Sequence, residues 1–243
     1  MLALFGIGCF FVVGLLVGVR LLALWCRTRQ LPELLAAVAM LGIGPLGTCV
    51  LGTGYLLFHD TSLMPLFHAA GLAIQGVGFS AIACFAWRVF RPNDRWAVAL
   101  AAIISLVLLV DGFGMFVVPT PAGEFALRNH VSMSLKILAI GWGAFESLLY
   151  WRVSNRRAAI GFADPLVSAS FLMWGIGLAS GTLGLAVVYA TIAWIGPGAV
   201  LSPPSQLFIS CFGVVAAAAF YLGFLPPRAY RRRFGARAPA AGG

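Results

Sequence analysis

Charge is what this chain has least of. Charged residues fill 9% of its 243 positions, against roughly a quarter in soluble domains, so water is not the solvent this composition suits. Lysine is nearly missing: Lys136 is the single one, and Leu135 rather than glycine precedes it, which excludes a G-x-x-x-x-G-K phosphate loop. The five cysteines, Cys9, Cys26, Cys49, Cys84 and Cys211, form no C-x-x-C pair, so neither a zinc ribbon nor a dithiol redox motif is available. All but Cys26 fall inside apolar runs, where thiols act as small hydrophobes and disulfides are not expected. The three histidines, His59, His68 and His130, lack the H-E-x-x-H spacing of a zinc site. A G-x-S-x-G elbow is also missing. No catalytic motif marks the chain as an enzyme, and its sequence points to no particular cofactor.

What remains is apolar. Hydrophobic residues make up 61% of the chain and the mean hydropathy is +0.99. A membrane-spanning helix needs about 20 residues, and runs of that length predict helices over 2–25, 33–58, 63–90, 96–118, 131–153, 165–194 and 205–226. The expected fold is all-α, a seven-transmembrane-helix bundle over residues 1–227 with a short basic tail over 228–243. Short loops imply that consecutive helices are antiparallel neighbours. With no positive residue ahead of its first apolar run and no small-residue cleavage site after it, the first helix reads as an anchor.

The net charge of +9 lies in clusters of arginine between the apolar runs. Such clusters exclude nucleic acid as the partner and point to a membrane surface. Arg27 and Arg29 follow the first helix, Arg88, Arg91 and Arg95 surround the turn after the third, and Arg152, Arg156 and Arg157 follow the fifth. Arg228, Arg231, Arg232, Arg233 and Arg237 follow the seventh. The alternate loops, around Asp60, from Glu124 to Arg128 and from Gly196 to Ser205, hold a single arginine. By the positive-inside rule the amino terminus is expected outside and the carboxyl terminus in the cytoplasm of a multi-pass cell-membrane protein. Arg228, Arg231, Arg232 and Arg233 are placed to contact anionic lipid, each charge contributing about 1 kcal/mol at such a surface. The same tail offers a docking point for a cytoplasmic or membrane protein partner.

Ionisable groups at membrane depth are costly and therefore point to function. Asp111, Lys136 and Glu146 are those groups. Counting ~1.5 Å per helical residue from the cytoplasmic arginines puts Asp111 and Lys136 at one level, ~24 Å up, which predicts a buried ion pair between them. The same count puts Glu146 and Arg20 at ~9–10 Å, so that they could pair, with snorkelling to the headgroups as the alternative for Arg20. His68, Gly71, Gln75 and Gly78 share one helix face, a polar and small stripe suited to a helix contact or a cavity. Together Tyr55, His68, Gln75, Asp111, His130 and Lys136 suggest a polar pocket open to the outer face, able to take a small ligand.

Gly44-Pro45 breaks the second helix, and Gly175, Gly177, Gly181 and Gly184 stud the sixth. Close packing explains them, with hinges as the sharper alternative. In helix count and orientation the plan resembles the rhodopsins and the G-protein-coupled receptors. It departs from both in its motifs: the last helix has no lysine and no Asn-Pro pair, and the third ends in Trp87-Arg-Val-Phe-Arg-Pro-Asn-Asp. The expected function is that of a receptor-like or sensory membrane protein. A small-molecule transporter, an intramembrane lipid-modifying enzyme and a structural subunit of a membrane complex are the alternatives.

Overall fold

A computed structural model describes residues 2–58, 61–116, 127–196, 199 and 202–230. His59, Asp60, Glu124, Arg231, Arg232, Arg233 and Arg237 lie outside the described residues. The regular structure of the described residues is all helical: α1 (Leu2–Thr28), α2 (Leu31–Leu41), a π-helical turn (Gly42–Leu46), α3 (Gly47–Leu57), α4 (Met64–Phe90), α5 (Arg95–Gly114), α6 (Leu127–Ala159), α7 (Pro165–Trp194) and α8 (Pro203–Phe224). Taking α2, the π turn and α3 as one rod, six helices among the described residues are long and apolar enough to cross a membrane. The one that falls short is α6, whose Lys136, Glu146 and serines lower its hydropathy.

Proline sets the helix starts. Pro32, Pro65, Pro165 and Pro203 each stand in the first turn, where a missing N–H costs nothing. The Asp164 side chain caps α7 by accepting from Leu166 N at 2.8 Å. After α1 the chain turns at Arg29, whose φ of 59° is a left-handed helix end. α7 spans the expected residues, whereas α6 runs four residues earlier and six later than its apolar core suggests. Polar residues at both ends of α6 hid that extension.

Gly44-Pro45 does not end the second helix but widens it. Proline cannot donate the i→i−4 bond, and the π turn takes up the mismatch. Thr48 Oγ1 donates to the Ile43 carbonyl at 3.1 Å, and Gln75 Nε2 of α4 donates to Thr48 Oγ1 at 3.3 Å. Side chains thus add hydrogen bonds to the backbone of the widened turn, which a low-dielectric environment favours. The α4 backbone comes so close here that a Cβ on Gly78 would lie 2.8 Å from Ile43 N.

α4 is the central helix, 61% buried over its apolar window against 22% for α1. It packs on α2, the π turn, α3, α5 and α6, while α7 joins α6 to α8 and α8 closes back onto α1. The α7 glycines serve that packing: Gly175 faces Leu148, Gly177 faces Phe220 and Gly184 faces Phe212. The core is alanine-rich, with Ala37, Ala83, Ala86, Ala97 and Ala139 fully buried. Small side chains let helices approach where solvent gives no hydrophobic drive. Large apolar residues face outward instead, among them Phe5, Leu56, Leu106, Phe145 and Trp194.

α6 repeats this inside-out pattern despite its charges. Val131, Leu138 and Phe145, seven residues apart, are exposed, while Ser132, Lys136, Ala139, Gly143, Glu146 and Ser147 are buried. The polar atoms face other helices and the apolar ones face out.

Candidate ligand-binding site

Two ends of the bundle can be told apart. Arg27, Arg88, Arg91, Arg152 and Arg228 mark one; the ends of α3, α5 and α7 and the starts of α4 and α6 mark the other. At the arginine-poor end the polar residues picked from the sequence fall into separate contacts. Tyr55 Oη lies 3.2 Å from His68 Nδ1, joining α3 to α4. His130 Nδ1 lies 3.1 Å from Tyr189 Oη, joining α6 to α7. Gln75 is engaged by Thr48 at the π turn. These contacts tie the residues to different helix neighbours, while Lys136 lies within electrostatic reach of both His68 and Asp111.

Asp111 pairs with Arg128 rather than with Lys136. Arg128 Nε donates to Asp111 Oδ1 at 2.6 Å, and Nη2 of the same guanidinium donates to the Asp111 carbonyl. The physical reason is reach: the last turn of α5 and the first turn of α6 face each other across the connecting loop, and the fork of arginine suits a carboxylate and a neighbouring carbonyl. Lys136 lies two turns deeper, 5% exposed, with Nζ 5.8 Å from the centroid of Phe79 in a cation–π contact. Depth arithmetic placed Asp111 and Lys136 at one level but could not see that Arg128 stood nearer. The signal was present: Arg128 is the single arginine of the arginine-poor loops.

The expected Glu146–Arg20 pair is also replaced. Glu146 Oε1 accepts from Arg91 Nε at 2.9 Å and lies 3.4 Å from Trp142 Nε1. Arg20 Nη1 instead donates to the Phe224 carbonyl at the end of α8, at 2.9 Å. α1 borders α2 and α8, so Arg20 does not come near α6. Arg91 also lies 3.5 Å from Asp94 and over the Trp96 ring. The Glu146 hydrogen bond and charge push the Arg91 guanidinium further above its ordinary pKa.

A cleft opens beside the Asp111–Arg128 pair. Val107, Val110, Asp111 and Gly114 of α5 form one wall, and Leu127, Arg128, Val131 and Ser132 of α6 form the other. Its volume is ≈ 990 Å³ with the space at its mouth included. It exists because α5 leans on α4 and packs only sparsely against α6. Asp111 is 11% exposed at its side chain, and its Oδ2 accepts no hydrogen bond among the described residues. Ser132 Oγ, buried behind the α6 wall, also has no partner there. A mostly apolar cleft with one fixed carboxylate can bind an amphiphile by its tail and orient it by its head.

A second cavity, partly open, lies between α2, α4, α6, α7 and α8, lined by Met40, Phe85, Trp174, Phe220 and Phe224 among others. It presents no polar group, so it offers packing space without chemistry. Among the described residues no cluster of three histidine, cysteine or carboxylate side chains could hold a metal. Comparison with known protein families, curated proteins and solved structures finds no match to this chain.

Proposed function

We propose that the chain is a seven-span cell-membrane protein, amino terminus outside and carboxyl terminus cytoplasmic, that binds a small ligand in the α5–α6 cleft and serves as a receptor or sensor. The observation that carries the binding reading is the Asp111 carboxylate, which lines an apolar cleft and is fixed through Oδ1 by Arg128. α6 is the seventh span in this reading, because its exposed Val131, Leu138 and Phe145 strip suits lipid while its charges are sheltered. Arginine clusters at one end support the orientation. Arg228, together with Arg231, Arg232 and Arg233 in the tail, would rest against anionic headgroups.

Orientation is tested at Cys26, which is exposed near the arginine-rich end of α1. A membrane-impermeant maleimide should label it in inverted vesicles and spare it in right-side-out ones; the opposite result refutes the orientation. Ligand binding is tested by thermal unfolding of detergent-solubilised protein against a small-molecule panel. A stabilising compound should lose its effect in Val110→Trp, which fills the cleft mouth, and an undiminished effect there would place binding elsewhere.

One observation favours a transporter as the second reading. The π turn at Gly42–Leu46 breaks a spanning helix beside Gln75, and broken helices are the usual sites of substrate coordination in transporters. Flux in proteoliposomes that Gln75→Ala abolishes would favour it over the receptor.

A further inference from the structure

The same cleft says what kind of molecule it takes, an inference that rests on the cleft being a binding site. Its walls are Val107, Val110, Leu127 and Val131, and Val110 and Leu127 are themselves 63% and 78% exposed on the outer surface of the bundle. A groove open sideways on a membrane-facing surface is entered from the lipid, not from water. Its occupant therefore needs an apolar chain.

The head is dictated by Asp111. Arg128 engages Oδ1 and the main-chain carbonyl, so the carboxylate is held in one orientation. Asp111 lines the cleft, and Oδ2 is the carboxylate oxygen left as an anionic acceptor with no hydrogen bond among the described residues. An acceptor in a low-dielectric cleft selects a donor, and a cationic N–H donor gives the stronger bond. A quaternary ammonium has no N–H to give, and an anionic head would meet the carboxylate with like charge. We propose that the α5–α6 cleft binds a zwitterionic phospholipid bearing a primary ammonium, of the phosphatidylethanolamine class, with the ammonium on Asp111 and the acyl chain along Val107, Val110 and Val131. The Arg128 guanidinium, on the rim beside Asp111, adds a positive field on the side where the lipid phosphate must follow its ammonium. Zwitterion thus meets zwitterion: ammonium on carboxylate, phosphate beside guanidinium.

The test is native mass spectrometry of the full chain in mild detergent, offered equal amounts of phosphatidylethanolamine, phosphatidylcholine and phosphatidylglycerol with identical acyl chains. The wild type should retain phosphatidylethanolamine with roughly tenfold preference over phosphatidylcholine, as one charge-assisted hydrogen bond implies. Asp111→Asn should erase the preference while leaving lipid bound. Val110→Trp, which leaves the ion pair intact and lies on the outer surface, should release bound lipid of every class. Equal retention of the three lipids by the wild type, or a preference for phosphatidylglycerol, overturns the ammonium assignment and leaves the cleft as a site of another head chemistry. Unchanged lipid retention in Val110→Trp overturns the cleft itself, and the binding reading of the previous section falls with it. Helical circular dichroism of each variant verifies the fold, and Val110→Trp decides the case where Asp111→Asn does not fold.

Discussion

Two arginine–carboxylate pairs tie α6 to its neighbours, one near each end, and they are built to different ends. At the arginine-rich end the carboxylate is the buried partner: Glu146 is 6% exposed at its side chain, while Arg91 is 37% exposed and shared with Asp94 and Trp96. At the other end both partners are partly sheltered, Asp111 at 11% and Arg128 at 29%. Glu146 receives two donors on the same oxygen, Arg91 Nε and Trp142 Nε1. Asp111 receives its side-chain donor on Oδ1 and lines a cleft. The first pair closes a helix contact between α6 and the end of α4, and the second holds a carboxylate open. An ion pair alone therefore does not mark a site. Each carboxylate keeps one oxygen without a hydrogen bond among the described residues, Glu146 Oε2 and Asp111 Oδ2; what sets Asp111 apart is that it also lines a cleft.

The contrast breaks most sharply at Arg91. Arg91→Ala removes the cationic partner of a carboxylate that has almost no access to water, and losing one partner of a buried pair costs about 3–5 kcal/mol. Thermal unfolding in detergent should show this as the largest drop among the variants named here. Glu146→Gln should cost only about 1 kcal/mol, because the amide oxygen can still accept from Arg91 and Trp142. If Arg91→Ala and Glu146→Gln are equally mild, the Glu146 carboxylate is solvated and the closed description of that end is wrong.

Asp111→Ala comes next. It takes the carboxylate away from Arg128, but that side chain is 29% exposed and can turn outward, so the expected loss is about 1–2 kcal/mol after discounting for that access. The functional effect should exceed the structural one. Ligand- or lipid-dependent stabilisation should vanish in this variant, whereas in Glu146→Gln it should persist. Loss of that stabilisation in both would mean that the two pairs act as one network through α6.

How much of this was legible beforehand follows from what each signal measures. Hydropathy finds a rod but not its polar ends, so α7 spans its expected residues while the expected start of α6 at Val131 leaves out Arg128, the residue that matters most. Arginine clusters separated the two ends, because charge in loops needs no tertiary information. Depth counting knows height and not azimuth, so it pairs Asp111 with Lys136 and Glu146 with Arg20, where the structure gives Arg128 and Arg91. Arg91 was near the right level for Glu146, yet only the packing of α4 against α6 makes them neighbours. The hydroxyl partners Thr48 and Tyr189 carried no sequence signal at all, as threonine and tyrosine are common in such helices. The cleft itself is an absence of packing between α5 and α6, and no pattern within either helix records it.

The smallest effect sharpens the contrast at its finest point. Ser132 stands one turn beyond Arg128 on the α6 wall, with Oγ buried and unpartnered among the described residues. Ser147, one residue after Glu146, is in the same state at the closed end. Removing an unsatisfied buried hydroxyl relieves its desolvation cost, so Ser147→Ala should leave stability unchanged or raise it by up to about 1 kcal/mol. Ser132→Ala should do the same in lipid-free detergent. The two variants should part company when the cleft is occupied. If a bound head group draws the Ser132 hydroxyl into its hydrogen bonds, Ser132→Ala will lose part of the ligand-induced rise in unfolding temperature and Ser147→Ala will keep all of it. Identical behaviour of the two serines would confine recognition to Asp111 and reduce the α6 wall to an apolar surface.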